Sequence, residues 1–342
     1  MSSRLKNSLY GLGLILLIWI VWKYRQEKLP TLQRLLGNTM GTSYHISYFD
    51  KQNRNFQFSV DSLLVLVNKS INTYDTASEI SQFNRSNHSI LFRLPYLLPP
   101  LKKSQKVVME SHGAYDPTVM PLVDAWGFGP RKIARPDTAE ILKMKAYVGF
   151  EKISFNNDSL WKSDPRVQID FSAIGQGYGS DVIADFFRSK SIDDFFIELG
   201  GEGVAQGKNL KEDQWWRIGI LDPASDFIEQ KFKAYATLRN KGFSTSGNYF
   251  NYREVNGKRY SHTIDPLSGF PVQRELLSAT VFAVDCATAD AWATAFMSMG
   301  HVKGLEILKT HPELEVLFIF SSPDGIRTFV SPGIARDLQI QP

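Results

Sequence analysis

Cysteine and net charge are both nearly absent from this sequence. Cys286 is the only cysteine in 342 residues, so the chain cannot form an intramolecular disulfide or a zinc site built from several cysteines. The 39 Lys and Arg residues and the 35 Asp and Glu residues leave a formal charge of +4, and the segment before Leu29 carries all of it. The rest of the chain is formally neutral and lacks the basic surplus of nucleic-acid-binding proteins, so we expect no nucleic-acid partner.

The sequence also has no internal repeat and no low-complexity segment. Its content of 43% hydrophobic and 22% charged residues is that of an ordinary globular protein and excludes a disordered, collagen-like or coiled-coil chain. At roughly 100–200 residues per domain, the length allows one large domain or two closely packed ones.

One long apolar run stands near the N-terminus. Residues 8–22 read SLYGLGLILLIWIVW without a charge, and basic residues stand on both sides. Neither an A-x-A cleavage site nor a lipoprotein cysteine follows the run, and its length of about 15 residues is short for a spanning helix, which usually needs about 17–25. Aromatic residues at its C-terminal end suit a membrane interface. We predict an uncleaved signal anchor over residues 1–28, a linker over residues 29–36 and one folded domain over residues 37–342.

The spacing of apolar residues predicts a mixture of helices and strands. Helical spacing indicates helices over residues 60–73, 101–112, 138–147, 178–189 and 287–299, with Ser59 or Asp61 capping the first and Gly113 ending the second. Strand patterns cover residues 167–170, 194–199, 278–284, 316–320 and 327–330, and two hairpins are predicted to turn at Asn156-Asn157 and Asn256-Gly257. The elements show no regular βαβ alternation, so we predict an α+β fold of mixed or antiparallel sheets with packed helices.

The segment DCATADAWATAFMSMG, residues 285–300, contains a candidate metal site. In a helix, Asp290 and Thr294 are four residues apart, so their oxygen atoms lie on one face. Hard oxygen donors suit Mg²⁺, which is usually held by a few protein groups together with waters and phosphate oxygens. On spacing alone, the favoured interpretation is an Ala-rich packing helix whose threonine bonds to its own backbone.

Two other segments allow both a chemical and a structural interpretation. Gly175-Gln176-Gly177 follows a predicted strand and opens a helix, so it could present backbone N–H groups to a phosphate or form only a tight turn. Asp170 before it could contact a ligand or cap the helix. In RYSHTIDPLSG, His262 could accept a proton from a hydroxyl with Asp265 orienting it, or Asp265 could open a turn while His262 lies at the surface.

Taken together, these segments resemble the FAD:protein FMN transferases of the ApbE type. The resemblance runs from about Gly37 to Phe329 and consists of an ordered series of blocks. The blocks are MGTSYHI at Met40, TYDTASEISQFN at Thr73, GAYDPTVMPLVDAWGFG at Gly113, IDFSAIGQGYGSD at Ile169, IELGGEGVAQG at Ile197, STSGNYFNY at Ser244, NGKRYSHTIDPLSGFPV at Asn256 and ATADAWATA at Ala287. A single block is a weak signal, whereas the whole series in order is a specific one.

The resemblance implies roles for individual positions. Asp290 and Thr294 match magnesium ligands of the family, with Ala293 beside them and the Ala173 carbonyl as a further donor. The positions that match the FAD site are Met40, Tyr74, Ala114, Tyr115, Asp116, Asp170, Gln176 and Ile264. His262 and Asp265 match the S-H-x-I-D-P block, where the proton acceptor is expected. Gln176 departs from the family pattern, because many relatives carry Lys there, and the lost charge would weaken FAD binding or alter product release.

The implied fold is the ApbE-like, T-fold-related flavin transferase fold, and the implied reaction depends on Mg²⁺. A Thr or Ser hydroxyl of a partner protein attacks the FMN-side phosphorus of FAD, AMP leaves, and FMN remains on the partner through a phosphoester. Such relatives serve membrane-bound electron-transfer proteins, so we expect a protein of the bacterial inner membrane with its catalytic domain on the periplasmic side. Two alternatives stay open: an FAD pyrophosphatase that uses water as nucleophile, and a non-catalytic flavin-binding protein.

Overall fold

The computed structural model describes residues 3–25, 29–130, 137–225, 230–248, 252–255 and 258–341. Its first helix, α1 (Ser3–Arg25), contains the apolar run. Within the described ranges, no helix combines the length and the apolar character needed to cross a membrane. The signal anchor is therefore not confirmed. The predicted hairpin turn at Asn256-Gly257 lies outside the described residues.

Among the other described residues, the sheets are antiparallel and helices pack against them, which confirms the predicted α+β class. The helices are α2 (Gln57–Ile71), α3 (Glu79–Arg85), α4 (Leu98–Glu110), α5 (Met120–Ala125), α6 (Thr138–Lys145), α7 (Gly175–Ser189), α8 (Cys286–Met299) and α9 (His301–Leu308). The strands are β1 (Thr31–Thr39), β2 (Thr42–Asp50), β3 (Ser89–Leu91), β4 (Ile153–Phe155), β5 (Ser159–Lys162), β6 (Phe195–Leu199), β7 (Glu202–Gln206), β8 (Lys208–Asn209), β9 (Gln214–Leu221), β10 (Phe232–Leu238), β11 (Lys241–Gly247), β12 (Tyr252–Val255), β13 (Lys258–Ser261), β14 (Leu276–Ala283), β15 (Glu315–Ser322), β16 (Gly325–Val330) and β17 (Leu338–Ile340).

An eight-stranded main sheet separates two hydrophobic layers. Its order is β1-β2-β6-β7-β11-β14-β15-β16, and a four-stranded small sheet has the order β17-β10-β9-β8. Phe243 and Phe282 of the main sheet belong to the same core cluster as Trp216 and Ile220 of the small sheet. Helix α8 packs against β11 and β14 on the opposite face. Because side chains alternate along a strand, Ser244, the neighbour of Phe243, faces this helix layer.

Helix α8 is the central helix of that layer. Every residue in it except Thr288 and Thr294 is buried, as expected for a helix that is apolar on all sides. Asp285 caps its N-terminus by accepting a hydrogen bond from the Thr288 N–H at 2.8 Å. The helix ends at Gly300, whose φ of 81° follows the last turn. The helix predicted over residues 287–299 is thus confirmed to within one residue.

The predicted linker over residues 29–36 is wrong, because most of it belongs to β1. This strand pairs with β2 along its whole length, from Thr31 opposite Asp50 to Thr39 opposite Thr42. The strand lies at the edge of the main sheet. Leu35 is its only fully buried side chain, so its apolar pattern in the sequence is weak. The turn that follows, Met40-Gly41, has φ values of 49° and 75°, which is typical of a type I′ hairpin turn.

The segment before α7 also differs from the prediction. Residues 167–170 form no strand, and only an isolated bridge joins Gln168 to Val119. Gly175-Gln176-Gly177 is the first turn of α7 and not a separate tight turn. The apolar spacing that begins at Tyr178 therefore marks the buried face of α7, whereas the helix itself starts at Gly175.

Two predicted helix ends are wrong as well. Helix α2 begins at Gln57 and has no side-chain cap, so neither Ser59 nor Asp61 caps it. After α4, His112 already has a positive φ of 53°, and Gly113 follows with 80°. Gly113 is therefore the second left-handed residue, and its N–H closes the helix end by donating to the Val108 carbonyl at 2.9 Å.

Asp50, the last residue of β2, connects this strand through Arg54 to the end of α7. Its carboxylate accepts hydrogen bonds from the Arg54 backbone N–H at 2.7 Å and from the Arg54 guanidinium at 2.8 and 2.9 Å. Arg54 also donates to the Lys190 carbonyl at the end of α7, at 3.0 Å. The hydrogen bonds from Arg54 lower the pKa of Asp50 to about 2.

Replacing Asp50 with asparagine should reduce the free energy of unfolding at pH 7 by about 2 kcal/mol. A lowered folded-state pKa stabilises the fold above the ordinary carboxyl value, and this contribution disappears as the pH falls through the folded value. The wild type should therefore lose this stability between about pH 4 and pH 2, and the variant should not. Urea unfolding at several pH values measures both quantities, and identical pH profiles of the two proteins would refute the assigned role.

Candidate active site

A cavity of about 890 Å³ opens between α7, α8, β9 and β11. Most of the residues that sequence analysis assigned to the site line it, although they come from separate segments. These residues are Tyr74, Ala114, Tyr115, Asp116, Asp170, Ala173, Gln176, His262, Ile264, Asp290 and Thr294. The structure brings them together, and their individual roles stay predictions.

Three of the predicted site residues do not line the cavity. Met40 lies in the β1–β2 turn and packs against the helix-layer core. Ala293 is fully buried within α8. Asp265 lies beside the cavity, and its carboxylate accepts the Leu267 N–H at 2.9 Å within its own turn. This hydrogen bond agrees with the interpretation that Asp265 opens a turn, and its catalytic role stays a prediction.

Asp290 connects α8 to both α7 and β11. Its Oδ2 accepts the Gly177 N–H at 3.1 Å, and its Oδ1 accepts the Ser244 hydroxyl at 3.2 Å. Gly177 lies in the first turn of α7, where N–H groups have no partner inside the helix. Only glycine fits there, because a Cβ would lie 2.6 Å from the Cys286 carbonyl oxygen. The Gly177 amide, which could have faced a phosphate, therefore faces Asp290.

Thr294 lies one turn after Asp290 on the same face of α8. Its hydroxyl oxygen is 3.5 Å from the hydroxyl of Ser246, which follows Ser244 on the same face of β11. Asp290 and Thr294 of the helix and Ser246 of the strand thus present one carboxylate and two hydroxyl groups to the cavity.

The start of α8 is held by two further carboxylates. Asp181 of α7 accepts the N–H groups of Cys286 and Ala287 at 2.8 and 2.9 Å. The cap residue Asp285 also accepts the Lys103 ammonium at 2.7 Å. Negative groups at a helix N-terminus are favourable, and here they also set the position of α8 relative to α7 and α4. The position of Asp290 follows from these contacts.

Asp116 organises the loop that contains Ala114 and Tyr115. Its Oδ1 accepts the N–H and the hydroxyl of Thr118 at 2.8 and 2.6 Å, and its Oδ2 accepts the Phe150 N–H at 2.9 Å. Asp170 is held in a similar way, by the Ser172 N–H and hydroxyl at 2.9 and 2.6 Å. Both carboxylates shape loops as well as line the cavity.

His262 stands in the cavity wall, half-buried, directly after β13. The residues around it are anchored on both sides. Asn248, at the end of β11, accepts the hydroxyls of Ser261 and Thr263, and the Thr263 carbonyl accepts the Val272 N–H at 2.9 Å. The loop that carries His262 is therefore anchored to the end of β11, the strand that contains Ser244 and Ser246.

The charge of the cavity lining is the main electrostatic feature of the site. Among the described lining residues there is no Lys or Arg, whereas four are acidic: Asp116, Asp170, Glu202 and Asp290. Burial raises the pKa of all four carboxyls, and the charge of Asp290 raises that of Glu202 further. Glu202 Oε2 is buried and has no hydrogen-bond partner among the described residues. The site therefore favours a bound cation.

The oxygen donors fit a magnesium ion better than a transition metal. The described residues contain no cluster of three His, Cys, Asp or Glu side chains suited to a metal. The candidate donors are instead one or two carboxylates, hydroxyls and a backbone carbonyl, together with space for a phosphate ligand. Mg²⁺ is usually bound in this way, with waters and substrate phosphates completing its coordination.

The lining residues that were not predicted from the sequence include Glu202, Ser246 and residues 219–221. Ser246 stands in the STSG block and Glu202 in the IELGGEG block, so both were within the quoted motifs. Neither was singled out, because a lone serine or glutamate has no diagnostic spacing. Only the packing of β7 and β11 beside α8 reveals them.

Comparison with known proteins identifies what this chain is similar to. A profile of the ApbE family matches residues 40–318. An FAD:protein FMN transferase of Vibrio cholerae is 34% identical over 89% of this chain and 92% of its own length. One from Haemophilus influenzae is 34% identical over 86% of this chain and 88% of its own length.

Solved structures show the same similarity. The flavin transferase ApbE of Vibrio cholerae superposes with a TM-score of 0.81 at 33% identity, over 90% of this chain and 99% of that one. The apo form of the Pseudomonas stutzeri flavinyl transferase ApbE gives 0.79 at 29% identity, over 90% of this chain and 97% of that one.

Proposed function

We propose that this chain, which belongs to the ApbE family, is an FAD:protein FMN transferase. The observation that supports a requirement for Mg²⁺ is the acidic cavity, whose described lining contains no Lys or Arg. An FAD pyrophosphate is anionic, so a cation bound beside these carboxyl groups would offset their repulsion of it. We therefore infer a Mg²⁺-dependent transfer.

The residues that would hold Mg²⁺ are Asp290, Thr294 and the backbone of Ala173, with Ala293 beside them in α8. When bound, the ion supplies charge neutralisation at the pyrophosphate and at the phosphorus under attack. Asp290 is positioned for this by Gly177 and Ser244, which hold both of its oxygens.

The proposed chemical step is an attack by a Thr or Ser hydroxyl of the partner protein. His262 takes the hydroxyl proton as general base. The hydroxyl oxygen forms a bond to the FMN-side phosphorus while the bond from that phosphorus to the bridging oxygen breaks. The bridging oxygen leaves as part of AMP, which needs no proton to be a stable phosphate ester. FMN remains on the partner through a phosphoester.

Incubation of residues 29–342 with FAD, Mg²⁺ and a flavin-acceptor domain that carries a threonine at its modification site tests this function. Intact-mass spectrometry should show that the acceptor gains one FMN, and EDTA should prevent the gain. The Thr→Val variant of the acceptor is the matched control and should stay unmodified. An unmodified wild-type acceptor in the presence of Mg²⁺ would contradict the proposal.

The FAD pyrophosphatase is the second candidate, because water could reach the same phosphorus. It predicts free FMN and AMP in amounts that the acceptor does not change. The transferase predicts AMP formation that depends on the acceptor and matches the FMN bound to it. Chromatography of the nucleotides in the same reactions separates the two functions.

Gln176 allows a test of the charge argument. We expect Gln176→Lys to tighten FAD binding about tenfold, because a charge-assisted hydrogen bond to the pyrophosphate replaces a neutral one. Gln176→Met, which is similar in length and uncharged, is the control and should not tighten binding. Fluorescence titration with FAD at two salt concentrations measures the effect, which should shrink at high salt. Equal affinities of the Lys and Met variants would place the pyrophosphate elsewhere.

The location at the bacterial inner membrane, with the catalytic domain on the periplasmic side, stays a prediction. Protease treatment of spheroplasts checks it. The domain should be degraded without lysis if it is periplasmic, and protected if it is cytoplasmic.

A further inference from the structure

Strand β9 exposes its backbone to the cavity. Three consecutive residues, Gly219, Ile220 and Leu221, belong to the cavity lining. Successive side chains of a strand point to opposite faces of the sheet. A cavity that contacted only side chains on one face would therefore be lined by every second residue, and not by three consecutive ones. The strand must therefore present its backbone edge.

That edge has no strand beside it among the described residues. One side of β9 pairs with β10 over residues 216–221. On the other side, β8 pairs only with Gln214 and Trp215. No other backbone hydrogen bond of residues 217–221 exists within the described ranges. Such an edge is a template for another extended chain.

The direction of the free backbone groups follows from the hairpin that closes β9 and β10. The Asp222 N–H donates to the Lys231 carbonyl at 2.8 Å, so Asp222 points toward β10. In an antiparallel pair, the N–H and C=O of one residue share a side, and consecutive residues alternate. The backbone groups of Leu221 and Gly219 therefore point away from β10 and toward the open edge.

Gly219 adds no side chain beside this edge. It is exposed, and a Cβ at this position would lie 2.4 Å from the ring of Phe232. A glycine inside a strand often marks a place where another backbone or a ligand approaches closely. Ile220 beside it is buried in the core between the two sheets and holds the strand in place.

The open edge belongs to the same cavity as the groups proposed for the transfer. Thr245, Ser246 and Gly247, at the end of β11, line it together with His262 and Asp290. A chain lying along β9 would therefore pass through the cavity that contains the proposed base and the proposed metal donors.

We propose that β9 binds the acceptor protein by adding an extended segment of it as a strand along residues 219–221. This inference rests on the proposed function, because a protein acceptor must bring a hydroxyl into the cavity. Main-chain hydrogen bonds from Gly219 and Leu221 hold the segment, and its alternate side chains face the cavity. Recognition of this kind tolerates different side chains away from the modified residue.

The first test removes one free N–H from the edge. Leu221→Pro loses the N–H that points away from β10, whereas Leu221→Ala keeps it. Proline is compatible with a strand edge whose N–H is not used by the sheet. With the acceptor domain, the kcat/KM of the proline variant should fall about tenfold below that of the alanine variant, mainly through KM. Equal kcat/KM values at equal FAD affinity would overturn the inference.

The second test uses the wild-type enzyme and does not depend on the folding of a variant. Synthetic acceptor peptides that contain the modified threonine are methylated at one backbone nitrogen at a time. Strand addition predicts that transfer falls at every second position, because only alternate N–H groups face β9. A loss without this period of two, or no loss at any position, would overturn the inference.

The two proposals fail in different ways. If the unmethylated peptide and the whole acceptor domain both stay unmodified, the proposed function is wrong and this inference falls with it. If both accept FMN but methylation shows no alternation, the function stands and the strand addition alone is wrong.

Discussion

Asp290→Ala is expected to reduce FMN transfer by about 1,000-fold, since it removes a carboxylate from the proposed metal site. Asp290 is buried, and its two oxygens accept the Gly177 N–H and the Ser244 hydroxyl. Loss of the carboxylate leaves both donors unsatisfied inside the protein. The variant should therefore also be less stable, by about 1–3 kcal/mol.

Asp290→Asn separates the two effects. The amide oxygen can still accept a hydrogen bond, whereas the negative charge is gone. Because burial raises the pKa of Asp290 and so disfavours its charged form, a neutral amide should be tolerated by the fold. We expect near wild-type thermal stability with transfer as low as in the alanine variant.

The measurements are intact-mass spectrometry of the acceptor and calorimetric titration with Mg²⁺. Asp185→Ala is the matched control, since Asp185 is an exposed acidic residue of α7. It should behave like the wild type in both assays. Full transfer by Asp290→Ala with only trace metal present would show that the metal site is assigned to the wrong residue.

His262→Ala is expected to slow transfer by about 100- to 1,000-fold, the usual contribution of a positioned general base. FAD binding should change much less, because the imidazole acts on the hydroxyl of the acceptor. Added imidazole should restore part of the rate, since a small base can occupy the space left by the side chain. These results would distinguish a base from a residue that only shapes the loop.

Stopped assays of transfer and fluorescence titration with FAD provide the two quantities. His88→Ala is the control, because His88 is exposed and does not line the cavity. If His262→Ala weakened FAD binding as much as it slowed transfer, and imidazole had no effect, His262 would be a binding residue.

The sequence is sufficient to predict the elements whose side chains pack regularly. Helix α8 has an Asp cap, a mostly small and apolar stretch and a glycine at its end, and each feature acts within a few residues. The Asn156-Asn157 hairpin, between β4 and β5, is equally local. The ordered motif blocks also sufficed to name the family, which the comparisons confirm.

Edge strands and irregular segments could not be predicted in the same way. Strand β1 has only one fully buried side chain, so its alternation is weak, and it exists because β2 lies beside it. Residues 167–170 show a strand-like alternation because Val167 and Ile169 are buried, but Asp170 donates its N–H to the carbonyl of Pro117 in a loop. The pattern of buried and exposed residues in a segment does not specify which groups its backbone N–H and C=O bond to.

By itself, the sequence determined the fold class, the family and eleven of the residues that line the cavity, because these depend on local patterns and ordered motifs. Only the tertiary structure decided what surrounds each of them. Glu202 has an unpartnered buried oxygen, and Asp290 faces the amide of Gly177, because α7, α8 and β7 pack together. Burial and charge proximity arise from distant segments meeting in space, and no single stretch of sequence contains that information.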